Sequence, residues 1–247
     1  PGPTPIPDDI VEAMTNPMIN HRGPEFDTLI HKATEQLKQV FMTKNDLFIL
    51  TASGTGSLEA AIVNTLSPGD RVIAATAGAF GDRFVDMVEA YGADVKRMDF
   101  EWGGPMDPGE IRKALQAEPN IKAVLVTHNE TSTGVTHPVE EIAKVVKGEF
   151  DKLLLVDAVS SLGCIPLPVD AWNCDMVGTA SQKGFMIPPG LSFISVSERA
   201  WEAHQTASMP RFYFDLSMAK TYLATGQTPF TPNLSAMYGL SRALDVL

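Results

Sequence analysis

Two short apolar runs in the stretch Lys152–Gly190 each end in a residue able to do chemistry. LLLV closes on Asp157, and DMVGTAS leads into Gln182 and Lys183, with Pro188 and Pro189 following. Runs of this length and composition read as buried strands, and open α/β sheets bind ligands just outside the carboxyl ends of their strands. Asp157 and Lys183 are therefore expected on one cleft. An amine and a carboxylate so placed suit pyridoxal phosphate (PLP). The amine forms a Schiff base with the aldehyde, and the carboxylate keeps the pyridine nitrogen protonated so that the ring can take up electrons. Taken singly, the acid also suits a helix cap or turn, and the lysine a solvated surface position. The two together, with the segments below, favour the cleft.

The other candidates also follow apolar runs. In LFILTASGTGSLEAAIVNTL the run LFIL reads as a strand, SGTG as a glycine-rich turn, and SLEAAIVNTL as a helix beginning at the turn. A helix N-terminus offers unpaired N–H groups and positive dipole, so this turn is the candidate phosphate site, although it equally suits a plain structural turn. It lacks the lysine of a Walker A loop and the spacing of GxGxxG, which leaves ATP and dinucleotides little support. Phe80, just past the strand RVIAA and ahead of a helix beginning near Gly81, could stack on a flat ring or pack in the core. Val159 could touch the opposite ring face or be ordinary core, and Gln182 could hydrogen-bond the phosphate. His128 invites a general-base reading, but Lys183 can already move a proton, so His128 is expected to orient backbone. Glu130 and Thr133 are expected to hold their loop by local hydrogen bonds.

The combination VDAVSSLG with SQKGFMIPPG resembles the class V aminotransferases, a branch of the fold-type I PLP enzymes, and within them the alanine–glyoxylate and serine–pyruvate aminotransferase group. Matching segments run from Pro1 to about Tyr238. The resemblance implies an aspartate-aminotransferase-like α/β large domain whose mostly parallel central sheet is flanked by helices. It implies Lys183 as the Schiff-base lysine and Asp157 as the pyridine partner, and it puts the backbone amides of Gly54, Thr55 and Gly56 on the phosphate. Phe80 stands where the family usually has Trp and sometimes Phe, and Thr131 in ETSTG would bring a hydroxyl near the ring. The arm PGPTPIP would reach towards the site with its glycine near the substrate. In TYLATGQTPFTPNL, Thr231 and Thr228 would reach the phosphate of the neighbouring subunit's cofactor, which implies a homodimer with shared active sites. The implied reaction moves an amino group from alanine or serine to glyoxylate or pyruvate, with Lys183 carrying the Cα proton.

The elements that must position these residues alternate along the chain. Residues 8–15 suggest a short helix, and 25–42 place Phe26, Leu29, Ile30, Ala33, Leu37, Val40 and Phe41 on one helical face. Strands RVIAA, DVKRMDF, IKAVLVT and LSFISVS alternate with helical VDMVEAYG, IRKALQA, VEEIAKVVKGEF and SERAWEAHQT, a pattern of parallel sheet. LSFISVS reads as a strand returning along the sheet edge. The organisation expected is an arm over 1–20, a PLP-binding large domain over 21–225, and a dimer-interface segment over 226–247 that starts the connection to a C-terminal small domain.

At 247 residues and 44% hydrophobic composition the chain can bury a substantial core. A formal charge of -11, from 30 acids against 19 bases, argues against a nucleic-acid surface or an anionic membrane as partner. No apolar run approaches a membrane span, no metal motif occurs, and Cys164 and Cys174 fit two buried thiols in a reduced, cytoplasmic protein. Arg22, in the loop NPMINHRGPEF, reads as a surface or interface residue. In the resembling family a small domain supplies an arginine for the substrate carboxylate. This chain ends before it, inside an amphipathic helix whose apolar face is expected to lie uncovered, so a truncation is expected. Other readings are another class V PLP enzyme (2-aminoethylphosphonate transaminase, cysteine desulfurase or lyase), a catalytically silent fold-type I module, and an unrelated doubly wound nucleotide-binding protein.

Overall fold

The computed structural model describes residues 2–247; Pro1, the first residue of the arm, lies outside them. After the arm come α1 (Asp8–Ala13), α2 (Pro24–Phe41), β1 (Asp46–Leu50), α3 (Gly54–Thr65), β2 (Arg71–Thr76), α4 (Ala79–Ala90) and β3 (Asp94–Asp99). Then follow α5 (Pro108–Ala117), β4 (Ala123–Thr127), the two-residue strands β5 (Asn129–Glu130) and β6 (Val135–Thr136), and α6 (Val139–Ala143), which runs on as a π-helical stretch over Lys144–Glu149. The chain continues through β7 (Leu153–Asp157), β8 (Met176–Ala180), β9 (Ser192–Val196), α7 (Glu198–His204), α8 (Leu216–Leu223) and α9 (Leu234–Leu244).

Among the described residues, seven strands form one sheet in the order β1-β9-β8-β7-β4-β2-β3. The pairs β8–β7, β7–β4, β4–β2 and β2–β3 are parallel, and β9 runs antiparallel to both of its neighbours. Apart from the edge strand β3, none of whose residues is buried, the strands bury both faces, as parallel sheets do, and alternate residues feed two separate cores. Leu154 and Val156 of β7 pack with α2, α5, α6 and α9 on one side, while Leu153 and Leu155 pack with α3, α4 and α8 on the other. The expected α/β architecture with a mostly parallel, helix-flanked sheet is present.

Some elements differ from the sequence reading. LSFISVS does return antiparallel, but it lies inside the sheet between β1 and β8 rather than at the edge, because all five residues of β9 are buried. Helix α3 begins at Gly54, so Gly54, Thr55 and Gly56 form its first turn, and α4 begins at Ala79 rather than near Gly81. The apolar face of α9 is covered: Leu234, Met237, Leu240 and Leu244 join the core that contains Ile10 of α1 and Phe26 of α2. Ion pairs Arg242–Asp9 and Lys32–Asp245 frame that contact. Cys174 is buried but Cys164 is exposed, and both lie in the connection between β7 and β8.

Candidate functional site

Because β1, β2, β4, β7 and β8 all point the same way, the segments that follow them meet at one edge of the sheet. There they surround a cavity of about 210 Å³ lined by residues from four of these strand ends, among them Gly54 and Thr55, Phe80 and Arg83, Asp157 and Val159, and Gln182 and Lys183.

Asp157, the last residue of β7, is almost wholly buried. Its Oδ1 accepts a hydrogen bond from the Val159 N–H at 2.8 Å, which fixes the plane of the carboxylate. Burial pushes its pKa up to about 6; the Val159 bond opposes this, the charge of Glu130 adds to it, and Arg83 and Lys183 act in the stabilising direction. Lys183 stands three residues past β8, half-buried, on a tight loop. Ser181 Oγ donates to Pro188 O at 2.7 Å and accepts from the Leu191 N–H at 3.2 Å, which closes that loop. Gly184 presses on the neighbouring turn so closely that a Cβ there would stand 2.6 Å from Leu162 O.

The N-terminal arm covers the lysine from outside. The Thr4 N–H donates to Gln182 O at 3.0 Å, and Thr4 Oγ1 donates to Lys183 O at 3.0 Å. A Cβ on Gly2 would lie 2.7 Å from Lys183 Cδ, so the arm approaches the lysine stem as closely as a glycine allows. The arm thus reaches the site as expected.

At the start of α3, Ser53 occupies the N-cap position with no side-chain capping bond, leaving the positive end of the helix turned to the cavity. Gly54 packs tightly: a Cβ would stand 2.7 Å from Val159 Cγ2 and 3.0 Å from Ala180 Cβ. Gly56 faces the other way, towards Ala52 and Phe214. The buried Oε1 of Gln182 has no hydrogen-bond partner among the described residues. A carboxamide can present either its oxygen or its NH2 to a ligand.

The structure therefore brings Gly54, Thr55, Phe80, Asp157, Val159, Gln182 and Lys183 together. It does not bring Gly56, Thr131, Thr228 or Thr231 onto that cavity within the chain. Thr131 lies in the turn between β5 and β6, Thr228 Oγ1 donates to Phe230 O at 2.7 Å, and Thr231 is exposed. Arg22 holds this last segment through Gln227 Oε1 and Thr228 O, both at 2.8 Å.

His128 is buried, and its Nδ1 lies 2.9 Å from Ser161 Oγ; its backbone N–H donates to Asp157 O at 2.8 Å. Burial lowers its pKa to about 4. It braces the turn after Asp157, as expected of a residue that orients backbone. Sequence reasoning missed Arg83, whose guanidinium lies over the Phe80 ring at 5.0 Å from its centroid. The signal was the i,i+3 spacing, which shows once α4 is known to begin before Phe80.

The residues present fit a phosphorylated pyridine aldehyde. A fully buried carboxylate, held up in pKa, would be relieved by a protonated ring nitrogen, and an uncapped helix N-terminus beside an unpaired buried amide suits a phosphate.

Known proteins resemble this chain along its whole length. A family profile described as aminotransferase class-V matches residues 2–247. A Synechococcus protein named soluble hydrogenase, small subunit, is 44% identical over 249 residues, covering 100% of this chain and 65% of its own length. The serine–glyoxylate aminotransferase of Methylorubrum extorquens is 42% identical over 256 residues, covering 100% of this chain and 64% of its own length. Among solved structures, an alanine–glyoxylate aminotransferase from Nostoc sp. superposes with a TM-score of 0.95 at 34% identity, over 100% of this chain and 66% of that one. The chain thus spans just under two-thirds of the length of these relatives.

Proposed function

Since the chain belongs to the class-V aminotransferase family, we propose that it is a PLP-dependent aminotransferase that moves an amino group from a small amino acid, alanine or serine, to a 2-oxo acid, glyoxylate or pyruvate. The observation that carries this reading is the convergence of buried Asp157 and half-buried Lys183 on one cavity with the open N-terminus of α3.

Bound there, PLP supplies an aldehyde that reacts with amines and a pyridinium ring that takes up the electrons released at the substrate Cα. Asp157 would hold the proton on the ring nitrogen, and its bond from Val159 orients the carboxylate for that role. Gly54 and Thr55 offer backbone N–H groups to the phosphate, with the Gln182 amide beside them. Phe80 and Val159, which both line the cavity, would bound the ring on its two faces. Lys183 would be the anchoring amine and the group that removes and returns the Cα proton. Thr4 and the close approach of Gly2 hold the lysine loop and limit water there.

The same reading makes the protein a homodimer whose sites are shared, with Thr228 and Thr231 reaching the partner's phosphate and Thr131 adding a hydroxyl near the ring. That the 227–231 segment lies off the chain's own cavity supports a role in trans. A reducing, cytoplasmic setting suits two free cysteines. A desulfurase would need a cysteine on the reacting atoms. Cys174 is buried with its thiol pushed up in pKa, and Cys164 opens onto a different depression, beside Met42 and Leu247.

The test is to add PLP, record the visible spectrum, reduce with borohydride and map the modified peptide. A visible band with the pyridoxyl group on Lys183, lost in Lys183→Ala, is expected; a folded protein without that adduct overturns the reading. An amino-donor screen then ranks alanine, serine and aspartate.

A further inference from the structure

Glu130 is fully buried, yet it is not one of the residues that line the cavity. Its two oxygens are divided between two segments. Oε2 accepts from the Phe80 N–H at 3.1 Å and the Gly81 N–H at 3.0 Å, both in the first turn of α4. Oε1 accepts from the Ser132 N–H at 2.9 Å and from Ser132 Oγ at 2.7 Å. Ser132 Oγ in turn accepts from the Ala79 N–H at 3.0 Å. Three successive amides of the helix start, 79 to 81, are therefore satisfied from the 130–132 turn, whereas the N-cap residue Gly78 has no side chain to do so. Gly78 is also where the backbone passes Glu130 most closely, because a Cβ there would drive into Glu130 Cγ.

A carboxylate at a helix N-terminus with four donors is held by charge-assisted bonds and by the dipole, which offsets its burial. What it holds is the position of Phe80. The ring leaves the helix one residue after Ala79, and Arg83 lies across it one turn later. The carboxylate also fixes the turn that carries Thr131.

We propose that Glu130 is a positioning residue for the cofactor ring, clamping the first turn of α4 to the β5–β6 turn so that Phe80 faces the cavity opposite Val159. The inference rests on the PLP reading above. Its consequence is an energetic dependence between two residues of which only one lines the site: Glu130 acts on cofactor binding through Phe80.

The experiment is a PLP titration of the full chain, followed by visible absorbance and circular dichroism, for the wild type, Glu130→Gln, Phe80→Ala and the double variant. Glu130→Gln is expected to weaken PLP binding by about tenfold, the scale of one lost charge-assisted hydrogen bond, and to reduce the induced dichroism. In the Phe80→Ala background the same change is expected to alter binding by less than about twofold, since the residue it acts through is gone. Equal affinity of wild type and Glu130→Gln, or the same loss with and without Phe80, overturns the proposal. Should Glu130→Gln fail to fold, Ser132→Ala removes one donor to Glu130 and the acceptor of the Ala79 amide. It is then expected to weaken binding about threefold with the same dependence on Phe80, and no effect overturns the proposal. A wild type that takes up no PLP removes the cofactor reading, and this inference with it; a wild type that binds at Lys183 while the variants match it removes only the inference.

Discussion

Asp157, buried at the end of β7, carries a cost when ionised that a protonated ring nitrogen beside it would relieve. Its folded pKa of about 6 stands against an ordinary 3.8, so the folded chain binds this proton more tightly than the unfolded one. The stabilisation is then fully present below 3.8 and is lost as pH rises through about 6, a difference of about 3 kcal/mol. At pH 8 the apoprotein bears that penalty in full. Asparagine keeps an oxygen for the Val159 N–H and carries no charge. Asp157→Asn should therefore raise the melting temperature of the apoprotein at pH 8, by about 6–10 °C for a chain of this size, while it removes tight PLP binding. The gap should close as the pH is lowered towards 4. His128, lowered to about 4, loses stability in the acid range too, but it is common to both proteins and cancels in the comparison. Equal melting temperatures at pH 8 would show that the carboxylate is solvated or otherwise compensated.

At the scale of elements, the start of α3 does more than cap a helix. Glycine is a poor helix former, which is why SGTG reads from sequence as a turn; the structure spends Gly54 and Gly56 inside the helix because neighbours crowd both. A Gly54→Ala change would gain about 1 kcal/mol of helix propensity and lose about 1–3 kcal/mol to overpacking against Val159 and Ala180. We expect a net loss of stability, measured by melting, together with weaker PLP binding, measured by titration; the stability alone is largely recovered in Gly54→Ala/Val159→Ala, because Val159 itself lines the cavity. No recovery in the double variant would place the strain elsewhere. The same elements show what could be read beforehand. Asp157, Lys183, Phe80 and the α3 turn were legible because each follows an apolar run that ends at the sheet's carboxyl edge. Arg83 and the true start of α4 were not, because Glu130, fifty residues later in sequence, sets that start, and no local pattern reports a cap so distant.

The whole molecule divides its tasks between the two edges of the sheet. The order of strands was the least legible feature: β9 is apolar on both faces, which tells that it is buried but not that β1 lies beyond it. At the edge opposite the cavity, β7, β8, β9 and the π-helical stretch are joined at Asp175. Its Oδ2 accepts from Lys147 Nζ at 2.7 Å and the Leu154 N–H at 2.8 Å, and its Oδ1 accepts from Ser197 Oγ at 2.9 Å. The pair is nearly dry, with side-chain exposures of 11% for Lys147 and 3% for Asp175. Replacing the cation by a methylene-rich isostere, Lys147→Met, leaves a buried carboxylate with two donors and no countercharge, and breaking such a pair costs about 3 kcal/mol or more. Strands of five residues put this pair about 16 Å from the carboxyl edge where Asp157 and Lys183 lie. Over that distance, with no shared partner, effects are expected to add rather than couple. Lys147→Met should therefore lower the melting temperature by about 6–10 °C while the folded protein binds PLP within about twofold of the wild type. If affinity falls in step with stability, the sheet transmits the loss along β7 and β8, and the two edges act as one unit.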